Sequence, residues 1–241
     1  MFQPVGQLDF IQIYKEILEF WDKNRSFEKL VAKNRGEPRF SFIDGPITAN
    51  NKMGVHHGWG RTLKDLYQRY WAMLGYDQRF QNGFDCQGLW VEVEVERELG
   101  LNSKSEIEDF GLDNFSRRCR ERVNTFSEIQ TEQSIALGQW MDWPNSYYTM
   151  SDENILYIWH FLKTCHERNW LYSGHRAMPW CSRCSTSLSQ HEMLETYNEM
   201  THTSVYVRFP LVEREGESLL VWTTTPWTLL ANVAAAVHPD L

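Results

Sequence analysis

The chain begins with apolar residues that recur every three or four positions between residues 9 and 31. This spacing is typical of an amphipathic helix, because it places the apolar side chains on one face. Gly36 and Pro38 follow the series and disfavour its continuation. We therefore predict one helix over residues 9–31. Its apolar positions are Phe10, Ile13, Ile17, Phe20, Trp21 and Phe27.

A strand, a loop and a second helix are predicted next. Residues 39–43 are aromatic and β-branched and stop at Asp44-Gly45-Pro46, which indicates a buried strand that enters a turn. Apolar residues have helical spacing over residues 55–74, and Gly75 occupies the position of a C-cap. Residues 77–81 resemble a second strand, so this region predicts a right-handed βαβ crossover with a parallel sheet.

Three further segments have helical features, and one of them is ambiguous. Residues 115–135 and 152–168 have helical patterns, with Ser151 or Asp152 as the N-cap of the second. Val and Glu alternate over residues 91–96, which alone indicates a half-exposed strand, whereas the flanking glycines suit a helix. The two signals conflict, and the pattern leaves both open.

The composition of the chain changes after Trp170. Residues 171–223 are rich in Thr, Ser, His and Gly, and short alternating runs at residues 203–209 and 218–222 indicate strands. We predict a small β-rich region here, with a domain boundary near residues 170–180.

Overall composition narrows the class of protein. Aromatic residues are 14% of the 241 positions and hydrophobic residues 42%, which excludes a long disordered chain. The net charge of −8 excludes a broad basic footprint, so any contact with RNA must be local. No apolar run approaches the roughly 20 residues that span a bilayer, and the first ten residues lack the layout of a signal peptide. We therefore expect a cytoplasmic protein with no membrane partner.

Glycines and imidazoles lie together at the predicted start of the second helix. The residues are Gly54, His56, His57 and Gly58, and they follow the strand and its turn. A helix N-terminus offers free N–H groups and a partial positive charge, which together favour phosphate. Histidines there can also be ordinary first-turn residues, but the neighbouring Asp-Gly-Pro and glycines favour an active site.

This stretch resembles the signature of a known family. Residues 44–57 are Asp-Gly-Pro-Ile-Thr-Ala-Asn-Asn-Lys-Met-Gly-Val-His-His. They are similar to the Asp-Gly-Pro-Pro-x-Ala-Asn-Gly-x-x-His-x-Gly-His of class I aminoacyl-tRNA synthetases, and within them of the isoleucyl enzymes. His57 matches the last histidine. The first and third positions of the final tetrad are exchanged, because Gly54 replaces a histidine and His56 replaces a glycine.

The resemblance implies roles for these residues in binding and activating ATP. In the family, the two histidines stabilise charge on the α-phosphate, and the glycine lets adenine pack on backbone. Catalysis is thereby assigned to His56, His57 and Gly54, and ATP binding to the same residues with Gly58. We hypothesise that His56 reaches the phosphates from its neighbouring position, so that adenylation survives while the shape of the nucleotide site changes.

A second motif follows the second predicted strand, at the edge where open α/β sheets bind ligands. Residues 83–90, Gly-Phe-Asp-Cys-Gln-Gly-Leu-Trp, resemble the family's Gly-Trp-Asp-x-His-Gly-Leu-Pro. A lone Asp there is often only a helix cap, but the resemblance assigns Asp85 to the α-ammonium of the amino acid, a charge-assisted contact. Gln87 replaces the family's histidine in this substrate pocket, which the backbone of Gly45 and Pro46 would also line.

The five cysteines include one close pair, Cys181 and Cys184, which favours thiols or a metal site over a disulfide framework. A redox pair is expected at a strand-to-helix junction, whereas this pair lies in the β-rich region and resembles half of the synthetase zinc ribbon. Structural zinc takes four ligands, and the sequence has no second Cys-x-x-Cys. His175 or His191 could complete the set only outside the pattern of the family. We expect an unfilled Zn²⁺ half-site.

Residues 220–232, Leu-Val-Trp-Thr-Thr-Thr-Pro-Trp-Thr-Leu-Leu-Ala-Asn, place three threonines before a proline. A plain threonine-rich strand is the simplest interpretation, but the whole string resembles the isoleucyl editing signature. In that established example of double-sieve editing, a missing methylene gives only about 150-fold rejection of valine, so a second site hydrolyses valyl products. The resemblance assigns that site to Thr223, Thr224, Thr225, Trp227 and Asn232.

Four motifs in family order imply an α/β fold with three parts. Residues 1–170 would form an N-terminal helix and half of a Rossmann-like catalytic domain, residues 171–200 a zinc-ribbon-like connector, and residues 201–241 the start of a β-rich editing domain. The implied enzyme is longer and monomeric. It uses ATP with Mg²⁺ to form isoleucyl-adenylate, charges tRNA(Ile) and edits valyl-tRNA.

We expect the 241-residue chain alone neither to charge tRNA nor to edit. Two other classes stay open at this point. Another nucleotidyl transferase could share the first motif, and a non-catalytic synthetase-like paralogue would keep the fold without the chemistry.

Overall fold

A computed structural model describes residues 6–41, 43–194 and 197–240. The chain divides into two compact units, of which the first ends at Ser187 and the second begins at Leu188. The first unit holds a parallel sheet with helices, and the second holds a β-hairpin. The domain limits expected at residues 170 and 200 stay predictions.

Helices account for most of the regular structure in the first unit. Within the described residues they are α1 (Phe10–Asn24), α2 (Ser26–Lys33), α3 (Val55–Met73), α4 (Leu89–Leu99), α5 (Lys104–Phe110), α6 (Leu112–Ala136) and α7 (Asp152–Glu167). The strands of this unit are β1 (Ile47–Thr48), β2 (Gly83–Asp85), β3 (Tyr147–Tyr148), β4 (Trp180–Cys181) and β5 (Thr186–Ser187). A 3₁₀ helix, Trp143–Asn145, precedes β3.

The second unit is built on an antiparallel pair of strands. These are β6 (Val205–Pro210) and β7 (Ser218–Thr223), with Val205 opposite Thr223. Short 3₁₀ helices lie at His191–Met193 and Pro226–Ala231. The strands predicted at residues 203–209 and 218–222 are confirmed.

The parallel sheet has the strand order β1-β2-β3. Ile47 lies opposite Phe84, and Gly83 lies opposite Tyr147, both in parallel register. Helix α3 connects β1 to β2, and α4 to α6 connect β2 to β3. The predicted α/β fold with a parallel sheet is therefore confirmed.

The two predicted strands at residues 39–43 and 77–81 are not continuous. They run side by side with isolated parallel bridges, Arg39 to Asp77 and Ile43 to Gln81, while the sheet strands lie further along the chain. Phe80 has a φ of 52°, and this left-handed conformation interrupts an extended strand. Phe42, which also falls in the first predicted strand, lies outside the described residues.

The first predicted helix is two helices. Asp9 caps α1 by accepting hydrogen bonds from two backbone amides, and the helix ends at Arg25, whose φ is 49°. A right-handed helix cannot continue through a left-handed residue, so α2 starts anew at Ser26. No glycine marks this break, which is why the periodicity predicted one helix.

The ambiguous segment at residues 91–96 is helical. Val91 and Val95 lie one turn apart and are both buried. Gly100, with a φ of 71°, ends α4 as the flanking glycines indicated. The predicted helices α3, α6 and α7 are confirmed, and Ser151 caps α7 by accepting a hydrogen bond from the Asn154 amide. No described helix is long and apolar enough to cross a membrane.

One cluster of the core lies between the sheet and the helices α4 and α6. Phe84 of β2, Val91 of α4 and Val123 of α6 are almost fully buried in one cluster with Ala49. Since Ala49 directly follows β1, this packing fixes the point at which the chain leaves the sheet.

Candidate active site

A cavity of about 780 Å³ opens at the end of β1 and the start of α3. It is lined by four of the residues that the sequence singled out: Gly45, Pro46, His56 and His57. The carboxyl end of a parallel strand and the N-terminus of the following helix are the usual place for a ligand in open α/β folds. The cavity is therefore our candidate active site.

The N-terminus of α3 is closed by a reciprocal pair of hydrogen bonds. The Gly54 amide donates to Nδ1 of His57 at 3.0 Å, and the His57 amide donates to the Gly54 carbonyl at 3.0 Å. Because Nδ1 accepts, the ring hydrogen of neutral His57 must be on Nε2. His57 is thus fixed as a hydrogen-bond donor at the edge of the cavity.

Burial reinforces this protonation state. Burial lowers the pKa of His57 from its ordinary value of 6.5, and the charges of His56 and Arg61 lower it further. A lowered pKa favours the neutral imidazole at physiological pH. His57 can therefore donate from Nε2 without carrying a charge.

The ring of His56 occupies the space in front of Gly54. The two imidazole centroids of His56 and His57 are 3.8 Å apart. A Cβ built on Gly54 would lie 3.0 Å from Cε1 and 3.1 Å from Nδ1 of His56. A side chain at residue 54 therefore competes with the observed position of His56, which makes the two exchanged positions interdependent.

Two basic residues that the sequence reasoning missed also line the cavity. Arg61 and Lys64 are four and seven positions after His57, so all three share one face of α3. Lys64 Nζ lies 2.5 Å from Oδ1 of Asp44 and 3.2 Å from the Gly45 carbonyl. The helical spacing from His57 was the signal that could have identified them.

Asp44 is a buried counter-charge to these two cations. Its side chain is fully buried, and Arg61 Nη1 lies 3.5 Å from Oδ2. Burial lowers the pKa of Arg61, while the charge of Asp44 raises it. The first residue of the signature therefore anchors the loop to α3.

Asp85 lies at the end of β2, directly opposite Thr48 of β1. The Thr48 hydroxyl donates to Asp85 Oδ2 at 3.1 Å, and Thr48 lines the cavity. Asp85 and Gln87 are not among the described residues that line it. Gln87 instead donates to the Thr149 carbonyl at 3.0 Å and lines a separate cavity of about 420 Å³.

The two paired cysteines lie in the β4–β5 hairpin of the first unit. The Cys184 amide donates to Cys181 Sγ at 3.4 Å, and this bond lowers the pKa of the Cys181 thiol. Arg183, between them, extends to Glu96 on α4, with 3.0 Å between Nη2 and Oε2. No group of three or more potential metal ligands is found among the residues that the structure describes.

The five residues of the expected editing site lie at the end of β7 and in the segment that follows it, in the second unit. Thr223 is the last residue of β7, and its Oγ1 accepts a hydrogen bond from the Thr225 amide at 3.0 Å. Trp227 is exposed, and Asn232 ends the 3₁₀ helix that follows. Thr224 lies between the two bonded threonines.

Comparison with known proteins assigns the family. The model of the tRNA synthetases of class I (I, L, M and V) matches residues 16–231, so the chain belongs to that family. Among curated relatives, it is 44% identical to the isoleucine–tRNA ligase of Thermus thermophilus, over all of this chain and 24% of that protein. It is 41% identical to the isoleucine–tRNA ligase of Streptomyces coelicolor, over 99% of this chain and 23% of that protein. The chain thus spans about a quarter of the length of these relatives.

Solved structures share the fold, and one of them serves as an example. The LeuRS–tRNA–LeuAMS ternary complex of Agrobacterium radiobacter K84 gives a TM-score of 0.57 at 16% identity, over 92% of this chain and 32% of that one. The resemblance inferred from the motifs is therefore confirmed at the level of the family. The roles of individual site residues stay predictions.

Proposed function

We propose that this chain is the N-terminal part of an isoleucine–tRNA ligase and that it carries the first half of the domain that activates the amino acid. The observation that carries the proposal is the cavity that His56 and His57, at the N-terminus of α3, line together with Gly45 and Pro46. The isoleucine–tRNA ligases at 41–44% identity support the choice of amino acid.

The proposed reaction is the transfer of AMP to isoleucine. A carboxylate oxygen of isoleucine attacks the α-phosphorus of ATP, the bond to the bridging oxygen breaks, and pyrophosphate leaves with the electron pair. Negative charge grows on the phosphate oxygens, where His57, His56 and the amides at the start of α3 would stabilise it. Gly54 and Gly58 do not line the cavity, so they would act on ATP binding indirectly, Gly54 through the hydrogen bonds with which it caps α3. Mg²⁺ would accompany ATP.

The amino acid would bind beside the nucleotide. Asp85 would accept hydrogen bonds from the α-ammonium, because its partner Thr48 lines the cavity. Gln87 points to a different cavity through its bond to Thr149, so we assign it only an indirect effect on the amino-acid pocket.

The remaining motifs would serve the whole enzyme. Cys181 and Cys184 would supply two of the four ligands of a structural Zn²⁺ ion. The hydrogen bond from the Cys184 amide to Cys181 Sγ supports this assignment, because it favours a thiolate. The threonine cluster from Thr223 to Thr225, with Trp227 and Asn232, would line the site that hydrolyses valyl-tRNA. The enzyme would act as a cytoplasmic monomer on tRNA(Ile).

The test is isoleucine-dependent pyrophosphate exchange by the full-length gene product. Loss of one preorganised donor typically costs about 10²–10³-fold in rate, so His57→Ala should lower exchange by that factor and His56→Ala substantially. His160→Ala, which removes an exposed histidine of α7, is the matched control.

Two results would contradict the proposal. One is a wild-type gene product without exchange, which would favour a non-catalytic paralogue or a different nucleotidyl transferase. The other is a crystal in which an isoleucyl-adenylate mimic binds away from both His57 and Asp85.

A further inference from the structure

One face of α6 is bonded to the loop that precedes α3. This loop, residues 48–54, runs from the end of β1 to the cap of α3 and forms one wall of the cavity. The residues of α6 that contact it are Arg122, Gln130, Gln133 and Ser134. Positions 122, 130, 133 and 134 fall on the same side of a helix, so they form a continuous face. We call this set the loop-bracing face.

Arg122 makes the largest share of these bonds. Its Nε donates to Asn50 Oδ1 at 2.7 Å, and its Nη2 donates to the Asn50 carbonyl at 2.7 Å and to Asn51 Oδ1 at 3.1 Å. The guanidinium is buried and lies over the Phe126 ring, 4.6 Å from its centroid. A planar fork of this kind fixes orientation as well as distance.

Two carboxylates of α4 balance the buried charge of Arg122. Glu98 bonds to Nη1, and Glu94 Oε2 lies 3.9 Å from Nη2. A buried arginine without such partners would be strongly unfavourable. The guanidinium of Arg122 is therefore held by α4 on one side, and its other N–H groups donate to the loop.

The two glutamines hold the backbone of the same loop. Gln130 Nε2 donates to the carbonyls of Thr48 and Asn51, at 3.1 and 2.8 Å. Gln133 Oε1 accepts from the Met53 amide at 2.8 Å, next to the Gly54 cap of α3. Bonds to residues 48, 50, 51 and 53 leave little freedom in the segment that leads to His57.

Gln130 connects this face to the cavity itself. It lines the cavity, is 1% exposed, and has no hydrogen-bond partner for its Oε1 among the described residues. A buried acceptor without a partner is costly, and a ligand donor in the cavity would satisfy it.

We propose that Arg122, Gln130 and Gln133 are positioning residues that hold the loop in its ligand-binding shape before a ligand arrives. The loop then presents the N-terminus of α3 and His57 without having to be ordered during binding. The ligand part of this inference rests on the proposed function, whereas the bracing of the free loop does not.

Hydrogen exchange in the 241-residue chain tests the bracing directly. Loss of one hydrogen bond corresponds to severalfold to about tenfold in an opening equilibrium, so the Met53 amide should exchange faster by that factor in Gln133→Leu. The hydrogen-bonded amides of Asn50 and Met53 should exchange faster by more in Arg122→Met. Gln133→Glu keeps an acceptor for the Met53 amide and should retain its protection. Arg118→Met removes an exposed arginine and its ion pair with Glu121 from the same helix, and should change nothing in the loop.

Binding of a sulfamoyl analogue of isoleucyl-adenylate to the full-length gene product tests the functional part. Misplacement of a site by about 1 Å can cost 10²-fold, so we expect Kd to rise roughly 10- to 100-fold in Arg122→Met and less in Gln133→Leu. Gln133→Glu should keep wild-type affinity, because its carboxylate still accepts a hydrogen bond from the Met53 amide.

The outcomes separate the two proposals. Unchanged hydrogen exchange at Asn50 and Met53 in both variants would overturn the bracing. Faster hydrogen exchange with unchanged analogue affinity would overturn the role of the bracing in ligand binding. If Arg122→Met does not fold, the comparison of Gln133→Leu with Gln133→Glu decides, because Gln133 is only half-buried. Failure of the wild-type product to bind the analogue would refute the proposed function, while the exchange measurement would still decide whether α6 braces the loop.

Discussion

Gly83 lies under the ring of Tyr147, and this contact leaves no room for a methyl group. A Cβ at residue 83 would lie 2.1 Å from both Cε1 and Cζ of Tyr147. The two residues are paired between β2 and β3, and the Tyr147 hydroxyl donates to the Asp44 carbonyl at 2.7 Å. Gly83→Ala must therefore displace the ring and break its bond to the signature loop.

The cost of Gly83→Ala can be estimated from three contributions. Overpacking a well-packed site costs about 1–3 kcal/mol, and loss of the Tyr147 hydrogen bond about 0.5–1.5 kcal/mol. The lower entropy of an unfolded chain with alanine offsets about 0.4–1 kcal/mol. We expect the free energy of unfolding to fall by about 0.5–4 kcal/mol.

Urea unfolding of the 241-residue chain, followed by tryptophan fluorescence, measures this change. Gly60→Ala is the matched control, because nothing lies within 4 Å of a Cβ at this position inside α3. It should stabilise the helix by up to about 1 kcal/mol. In a Tyr147→Ala background, Gly83→Ala should cost little. An equal cost of Gly83→Ala with and without the tyrosine ring would refute the reasoning.

Three further predictions concern the site and the cysteines. Gly54→His alone should lower pyrophosphate exchange by the full-length gene product about 10²-fold or more, because its Cβ displaces the His56 ring. Adding His56→Gly should restore much of the rate. A double variant that is no faster than Gly54→His would contradict the steric account. An NMR titration should place the pKa of His57 below 6.5, and His56→Ala should raise it without abolishing the shift, since burial is the larger cause. The folded chain then binds fewer protons than the unfolded chain between the two pKa values, so the contribution of His57 to stability is present above pH 6.5 and is lost as the pH falls through the lowered pKa. Burial, with nearby carboxylates, raises the pKa of Cys119 to about 11, so at pH 8 only about one Cys119 thiol in 10³ is ionised. Iodoacetamide should therefore modify Cys119 much more slowly in the folded chain than in urea. Equal rates of modification would contradict this prediction.

The elements that could be predicted from the sequence are those with local signals. Helix α3 has periodic apolar residues and Gly75 after its end, and α7 has Ser151 as its cap. The break at Arg25 has no such signal, because any residue type can be forced into the left-handed region by tertiary packing. The parallel strands are only two or three residues long, too short for a period-two pattern to locate them.

The candidate site shows the same division between local and distant information. Gly45, His56 and His57 are close together in the sequence, so one motif was sufficient to group them. Arg61 could have been added from helical spacing alone. Gln130 could not, because it joins the cavity only when α6 packs under the loop, about 80 residues further along the chain.

The ion pair between Arg183 and the buried Glu96 also affects how freely the length of the segment before the β4–β5 hairpin can change. Residues 170–179 are irregular and exposed, while the hairpin beyond them is tied to α4 by this pair. Because the ion pair holds the β4–β5 hairpin, residues 170–179 do not have to fix its position. A loop of this kind can change in length at small entropic cost. We therefore expect insertions to be tolerated in residues 170–179 more readily than in the β4–β5 hairpin around Arg183.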